Sequence, residues 1–229
     1  MHYKFLDSAH VSNVLVEGTI VISSFEYFRR LEEAQWGGIA DKLEAATELK
    51  MPEYFVATEN SPELKQLNNA NIGLGRFKQF AKIETGGVIS MSSARFIHQI
   101  PDAYIFSASW GNLDHLRDYM YVKAQRKYDT CLKLRNLHRL QRRLLDAGYI
   151  PELDSRFSDV FHRGEHKIVE YEVRSNSFPE AVLPPSAFKK GIQFREQSEA
   201  RITFIPKIAL VQTRLIVRFP DPGSIFEKV

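Results

Sequence analysis

The sequence contains a single cysteine, Cys131, so no disulfide can form within the chain and no cysteine-based zinc site can be assembled. It also lacks any apolar run near the ~20 residues that a membrane-spanning helix requires. The N-terminus, MHYKFLDSAH, has no basic segment followed by an apolar stretch, which would mark a signal peptide. We therefore expect a cytoplasmic protein that does not contact a membrane.

The common nucleotide-binding loops and metal motifs are missing as well. Neither GxGxxG nor a P-loop occurs, and Gly73-Leu74-Gly75 lacks the flanking context of either. His162 and His166 are spaced as on a helix, but Gly164 between them favours a turn, and HRGEH does not have the residue order of a zinc protease motif. We expect no metal in the site.

What the sequence does contain is ample material for a core. Of its 229 residues 44% are apolar, including 16 Phe and 9 Tyr, and 26% are charged. These fractions are typical of a globular protein. No internal repeat, low-complexity tract or linker interrupts the chain, so residues 1–229 are predicted to form a single domain. Within it, residues 50–86 are interpreted as either an insertion or a lid.

Short strands alternate irregularly with helices. The predicted strands are His2–Leu6, Thr19–Ser23, Gly87–Ser92, Ala103–Ser109, Lys167–Arg174, Ala200–Ile205 and Leu210–Phe219. The predicted helices are Val11–Glu17, Glu26–Glu33, Asp41–Leu49, Leu113–Gln125 and Leu132–Gly148. Because there is no regular βαβ alternation, this order favours an α+β fold with mostly antiparallel pairing.

A pair of serines interrupts one predicted strand. Ser107 and Ser109 are two residues apart in AYIFSAS, so their side chains share one face of a sheet. Their hydroxyls either hold each other, the neighbouring backbone or a ligand, or they mark the end of the strand, with Ser109 capping the next helix.

A second polar pair, Gln197 and Glu199, stands at the start of a late strand and also shares one face. A carboxylate there can stabilise positive charge on a substrate or accept a proton, and Gln197 can orient the attacking group. The alternative is an exposed sheet edge on which Glu199 and Arg201 form a surface ion pair, a contact that contributes little.

Basic residues cluster in the middle of the chain, where Asp129 is the single acid among them. Such a stripe is typical of a surface that binds a phosphate backbone. The alternative is a solvated helix whose charges meet acids of neighbouring segments. The basic residues are Lys123, Arg126, Lys127, Lys133, Arg135, Arg139, Arg142 and Arg143.

The ordered motifs of the chain resemble a family of uncharacterised bacterial proteins. These motifs are HYKFL, EGTIVIS, SSFEYFRRLEE, IADKLEA, AYIFSASWGNLD, YDTCLKL and FKKGIQFREQSEARI. The same layout is similar to divergent mono-ADP-ribosyltransferases. Members of that superfamily carry a basic residue or histidine on the first strand, a Ser-x-Ser strand in the middle, and a late strand with the catalytic glutamate.

The resemblance implies an ADP-ribosyltransferase-like split sheet, mostly antiparallel and flanked by helices, with NAD as the substrate. It implies that Glu199 is catalytic and that Gln197 assists it. The first strand would supply a cation for the diphosphate, the serines would fix the nicotinamide cleft, and an aromatic side chain would stack on a ring. The residues implied to contact NAD are His2, Tyr3, Lys4, Tyr27, Phe28, Ser107, Ser109 and Trp110.

The resemblance also bears on partners. It points to a bacterial toxin or phage-defence effector that modifies RNA, DNA or protein, and an inhibitory partner protein is a further candidate. The alternative function is a non-catalytic nucleic-acid-binding or regulatory module on the same fold.

Overall fold

The computed structural model describes residues 1–33, 43, 45–69, 85–123, 128–180 and 184–229. Within these ranges the strands are β1 (His2–Leu6), β2 (Thr19–Ser24), β3 (Ala46–Lys50), β4 (Phe55–Thr58), β5 (Val88–Met91), β6 (Arg95–Gln99), β7 (Tyr104–Trp110), β8 (Thr130–Leu134), β9 (Tyr149–Ile150), β10 (Ser155–Arg156), β11 (Glu165–Ile168), β12 (Glu170–Glu172), β13 (Ser175–Ser177), β14 (Lys189–Gly191), β15 (Glu199–Phe204), β16 (Arg214–Arg218) and β17 (Phe226–Lys228). The helices are α1 (Val11–Leu15), α2 (Phe25–Glu33), α3 (Pro62–Asn69), α4 (Leu113–Lys123), α5 (Leu137–Ala147) and α6 (Phe157–Val160). None of these helices is both long and apolar enough to cross a membrane.

Ten of the strands form one antiparallel sheet. Eight of them run in the order β10-β9-β16-β2-β7-β1-β8-β17, while β15 pairs with both β7 and β11. Smaller sheets join β13 to β3 and β6, β4 to β5, and β12 to β14. Within the described ranges, parallel pairing is confined to β12 with β14 and β13 with β3. The predicted α+β class with mostly antiparallel strands is therefore confirmed.

The central strand β7 has two different edges. One edge pairs with β15 along the whole strand. The other edge pairs with β1 at Ser109 and Trp110 and with β2 at Tyr104 and Ile105. β1 and β2 therefore separate alongside residues 106–108, and the sheet is split at that point.

The main core covers one face of this sheet. From α5 it receives Leu137, Leu140 and Leu144, which follow one another at helical spacings and are all buried. A smaller apolar cluster lies against β1 and includes Leu116 and Met120 of α4. Helices on both faces thus hold the strands that flank the split.

The helix predicted over Leu132–Gly148 is wrong in its first part. Strand β8 occupies that part and pairs with β1 and β17, and the helix begins at Leu137. The side chain of Asn136 caps it by accepting a hydrogen bond from the Arg139 N–H. The error arose because Leu134, three residues before Leu137, fits helical spacing as well as the alternation of a strand.

The helix predicted over Asp41–Leu49 is also wrong where the structure describes it. Ala45 has φ 55°, and Ala46–Lys50 is strand β3, paired with β6 on one side and β13 on the other. Both partners lie far along the chain, so their pairing overrides the local helical pattern. The acids Asp41 and Glu44 lie outside the described residues.

The described part of residues 50–86 packs largely on itself and its flanks. β4 pairs with β5, and α3 contributes the buried side chains of Leu64 and Leu67. Together with β3, β6 and Phe178 they form an apolar cluster separate from the main core. The strand predicted directly after this segment, Gly87–Ser92, is observed as β5.

Candidate functional site

A cavity of about 790 Å³ lies where β1 and β2 separate. Its volume falls within the ~300–1,000 Å³ of small-molecule sites. The residues predicted as site residues that line it are Tyr3, Lys4, Tyr27, Phe28, Ser107, Ser109, Gln197 and Glu199. None of the described residues between 45 and 99 lines it.

Strand register places the predicted carboxylate and serines on one face. In the antiparallel pair of β7 and β15, Glu199 lies opposite Ser109 and Arg201 lies opposite Ser107. The hydroxyl of Ser107 donates a hydrogen bond to Glu199 Oε1. Asn112 caps the N-terminus of α4 with its side-chain oxygen, so the alternative role of Ser109 as that cap is wrong.

The Glu199 carboxylate is buried between two cations. The exposed fractions of Glu199, Lys190 and Arg201 are 6%, 3% and 0%. Arg201 Nε donates to Glu199 Oε1 at 2.7 Å, and the Lys190 ammonium donates to Glu199 Oε2 at 3.0 Å. Because β15 lies between β7 and β11, Glu199 is not on a sheet edge. The alternative of a weak surface ion pair is therefore wrong.

These cations decide the charge of the carboxylate. Burial by itself would raise the pKa of Glu199, because it disfavours the charged form. Arg201 and Lys190 outweigh burial, and together with the Ser107 hydrogen bond they hold the pKa of Glu199 well below its usual range. Glu199 is therefore ionised at neutral pH, and its charge is fixed in place before any ligand binds.

The turn before β15 brings Gln197 beside Glu199. A 3-10 helix spans Ile192–Gln197, and its C-cap residue Ser198, with a φ of 42°, redirects the chain into the strand. The Lys190 ammonium donates to Gln197 Oε1 at 2.8 Å, so one cation holds both the amide and the carboxylate. The hydroxyl of Tyr171 accepts the Glu199 N–H at 2.7 Å and fixes the first residue of the strand.

Lys4 bridges the split in the sheet. It follows Tyr3 along β1, so its side chain lies on the face opposite to that of Tyr3 and Ser109. Its ammonium donates to the carbonyl oxygen of Ser107 at 2.9 Å and lies 4.9 Å from the ring centroid of Phe106. Because Ser107 lies in the stretch that β1 and β2 leave unpaired, Lys4 supplies a donor at the gap.

Aromatic side chains form a wall of the cavity. Tyr27 and Phe28 of α2 pack edge to face with ring centroids 5.6 Å apart, and the guanidinium of Arg214 lies 5.0 Å from the Tyr27 centroid. Burial is the largest cause that raises the pKa of Tyr128. The charge of Glu199 raises this pKa further, and that of Arg214 lowers it. This wall can stack on a planar ring of a ligand.

Two residues implied to contact NAD are not part of the cavity lining. Trp110 is 40% exposed, and its backbone N–H donates to the Ser198 carbonyl at 2.7 Å. The pKa of His2 is lowered by burial first and then by the positive charges of the N-terminus and His166. His2 is likewise not among the residues that line the cavity.

The basic residues predicted as one stripe are spread over several elements. Arg126 and Lys127 lie outside the described residues. The others lie on α4 (Lys123), on or just after β8 (Lys133, Arg135) and on α5 (Arg139, Arg142, Arg143).

Half of these six cations face acids of neighbouring segments. Lys133 and Arg135 lie 3.6 and 3.9 Å from Glu227, and Arg143 lies 3.6 Å from Asp221. The two other arginines of α5 are exposed, and no ion pair involves them among the described residues. The alternative of a helix whose charges meet neighbouring acids therefore holds for part of the stripe.

In the part of the chain that the structure describes, no group of three or more His, Cys, Asp or Glu side chains is placed to hold a metal ion. His166 instead lies 2.9 Å from the side-chain oxygen of Gln141, and its ring centroid is 5.4 Å from that of His138.

No family model, curated protein or solved structure matches the chain. These comparisons neither support nor oppose an ADP-ribosyltransferase fold, so the site is interpreted from its own geometry.

Sequence reasoning missed several residues of the site. Arg201 had a usable signal, because it stands two residues after Glu199 and so shares its face. Lys190 lies within the motif FKKGIQFREQSEARI, but its contact with Glu199 depends on the turn between them. Tyr128 and Arg214 carried no local signal, since strand pairing and helix packing bring them to the cavity.

The first prediction concerns the buried ion network. Arg201→Met leaves Glu199 with one cation, and breaking a buried ion pair costs ~3–5 kcal/mol. Because Lys190 remains, we expect the free energy of unfolding in urea to fall by about 3 kcal/mol. The exposed Arg195 is the matched control, and Arg195→Met should change this free energy by less than ~0.5 kcal/mol. Equal losses for the two variants would contradict the network.

The second prediction concerns the protonation of Lys4. Burial lowers the pKa of Lys4 to about 8, although Glu199 opposes the shift. Between pH 8 and the ~10.4 of an unfolded lysine, the unfolded chain binds more protons than the folded one, so stability rises with pH.

The comparison that isolates this effect uses Lys4→Met, which lacks the titrating group. From pH 7.5 to 9.5, the free energy of unfolding of the wild-type protein should rise relative to that of Lys4→Met by about 1 kcal/mol, because the side chain is only partly buried. Urea unfolding at both pH values measures this difference. A difference that stays constant or falls with pH would count against a lowered pKa of Lys4.

Proposed function

We propose that the protein is an NAD-dependent mono-ADP-ribosyltransferase. The observation that supports it most is that three distant strands meet at one cavity: the first strand, the Ser-x-Ser strand β7, and β15, which begins with Glu199. A buried, ionised carboxylate lies at this meeting point. The motifs that resemble the transferases are thus also neighbours in space.

The chemistry requires a fixed negative charge near the reacting sugar. In NAD, the glycosidic bond joins ribose C1′ to the pyridinium nitrogen. When this bond breaks, its electron pair leaves with neutral nicotinamide, and C1′ becomes part of an oxocarbenium ion. A carboxylate held beside C1′ stabilises that ion. The nucleophile of the acceptor then bonds to C1′ and loses its proton.

The low pKa selects one of the two roles considered for Glu199. A general base works best when its pKa lies near the working pH, and that of Glu199 lies far below it. We therefore assign Glu199 to electrostatic stabilisation of the oxocarbenium ion. Lys190 and Arg201 are positioning residues, because they orient the carboxylate and keep it charged.

The remaining lining residues supply binding surface. Tyr27 and Phe28 offer aromatic faces and edges to the nicotinamide or adenine ring. Ser107 and Ser109 lie on the same face as Glu199 and border the place where the reacting ribose would lie.

The third prediction tests the charge of Glu199. Glu199→Gln preserves the shape of the side chain and removes its charge. Transfer of labelled ADP-ribose from NAD to RNA, DNA or protein acceptors should fall at least ~100-fold, the magnitude found when a preorganised electrostatic group is removed. Affinity for NAD should change little, because the charge acts mainly after the bond begins to break.

The control is Glu196→Gln. Glu196 lies three residues before Glu199, and its exposed carboxylate pairs with His115. This variant should keep full activity. A thermal melt establishes that both variants are folded. Full activity of folded Glu199→Gln would remove Glu199 from the catalytic role.

A second candidate function is a non-catalytic nucleic-acid-binding module. The exposed arginines of α5, Arg139 and Arg142, favour it. It predicts RNA or DNA binding that weakens steeply with salt and loses about one unit of salt slope for each arginine changed to alanine.

Thermal melts with and without about 1 mM NAD separate the two functions, since a ligand that binds only the folded protein raises its melting temperature. A rise in the melting temperature supports the transferase. Salt-sensitive RNA or DNA binding without any such rise supports the module.

A further inference from the structure

Three lysine or arginine side chains line the cavity in the described part of the chain: Lys4, Lys190 and Arg214. The ammonium of Lys4 donates to a backbone carbonyl, and that of Lys190 donates to Glu199 and Gln197. Arg214 is different, because among the described residues it contacts the Tyr27 ring and forms no ion pair with an acid. It is the lining cation whose donors are available to a ligand.

Strand register puts Arg214 on the same side of the sheet as the proposed catalytic carboxylate. Arg214 lies opposite Ser23 of β2, and Ser23 lies opposite Ile105 of β7. Ile105 shares its face with Ser109, which lies opposite Glu199. Arg214 and Glu199 therefore face the same side of the sheet from different points along the split.

The separation of these two residues fits one half of a dinucleotide. Between them lie three strand spacings, ~14 Å across the sheet, and four residues along β7, ~13 Å. The resulting diagonal of ~20 Å between Cα atoms is shortened by both side chains where they reach into the cavity. In NAD, one ribose joins C1′ to the diphosphate. With C1′ beside Glu199, this separation allows the diphosphate to reach Arg214.

Arg214 is exposed, and the Tyr27 ring restricts its side chain. Its guanidinium lies 5.0 Å from the centroid of the Tyr27 ring, and stacking on an aromatic ring restricts a planar guanidinium. A guanidinium presents a fork of N–H donors that matches two phosphate oxygens. Less conformational entropy is then lost when an anion binds.

We propose that Arg214 is the residue that binds the diphosphate of a dinucleotide in this cavity. This assignment rests on the proposed function for the identity of the dinucleotide. It replaces the first-strand cation that the family resemblance implies, since Lys4 bridges the split instead.

The test uses isothermal titration calorimetry on the full chain with NAD and with nicotinamide riboside, which lacks phosphate. Arg214→Gln should weaken NAD binding about 10–100-fold, the loss expected for charged hydrogen bonds. The same variant should bind nicotinamide riboside as the wild-type protein does. Arg214→Lys keeps the charge but lacks the forked donors, so its affinity for NAD should lie between those of the wild-type protein and Arg214→Gln. The control is Arg218→Gln, an exposed arginine of the same strand outside the cavity lining.

Two results would overturn the assignment. Unchanged NAD binding in Arg214→Gln would show that another group holds the diphosphate. An equal loss of NAD and nicotinamide riboside binding would show that Arg214 acts only through the shape of the cavity.

Inorganic pyrophosphate separates a failure of this assignment from a failure of the proposed function. If the wild-type protein binds pyrophosphate and Arg214→Gln does not, while neither binds NAD, the anion site stands and the transferase proposal fails. If NAD binds but its affinity does not depend on Arg214, the transferase proposal stands and the assignment fails. If the wild-type protein binds neither NAD nor pyrophosphate, both the transferase proposal and the assignment of Arg214 fail.

Discussion

The structure depends on keeping one carboxylate charged inside the protein. Transferring such a group from water to a protein interior costs several kcal/mol, so Glu199 is tolerated only while Arg201, Lys190 and Ser107 hold it. These partners come from three strands, β15, β14 and β7. A shift of the β7–β15 register by one residue would turn Glu199 and Arg201 together to the opposite face, away from Ser107 and Lys190. The fold and the site therefore cannot be optimised separately.

The split in the sheet opens a cavity beside this buried charge. If β1 and β2 paired with β7 along its whole length, no cavity would lie beside Ser107 and Glu199. Separation of two strands leaves backbone groups without partners, and such groups are costly when buried. Lys4 satisfies one of these groups by donating to the Ser107 carbonyl. Burial of the ammonium disfavours its charged form and lowers the pKa of Lys4. A side chain of β1 thus stabilises the gap between the two strands.

Local pattern was sufficient to predict strands β1, β2 and β7 and the shared face of Ser107 and Ser109, because side-chain alternation is a property of the strand itself. It also placed Gln197 and Glu199 on one face, while the catalytic role of Glu199 came from the family resemblance and stays a prediction. It failed at Ala46–Lys50 and Thr130–Leu134, where distant partners turn locally helical patterns into strands. The cations and aromatics of the site lie largely beyond the reach of local pattern, since a turn brings Lys190 to the carboxylate and the pairing of β16 with β2 brings Arg214 to the cavity.

The sequence distance between the strands of the site also has a consequence for biosynthesis. Ser107 and Glu199, which touch in the folded protein, are 92 residues apart, and β16 follows later still. Contacts of this kind form late, because long loops must close first. A ribosome therefore has to release the chain through β16 before the carboxylate, its cations and the cavity can exist together. A nascent chain from which β16 has not yet emerged therefore lacks the complete cavity.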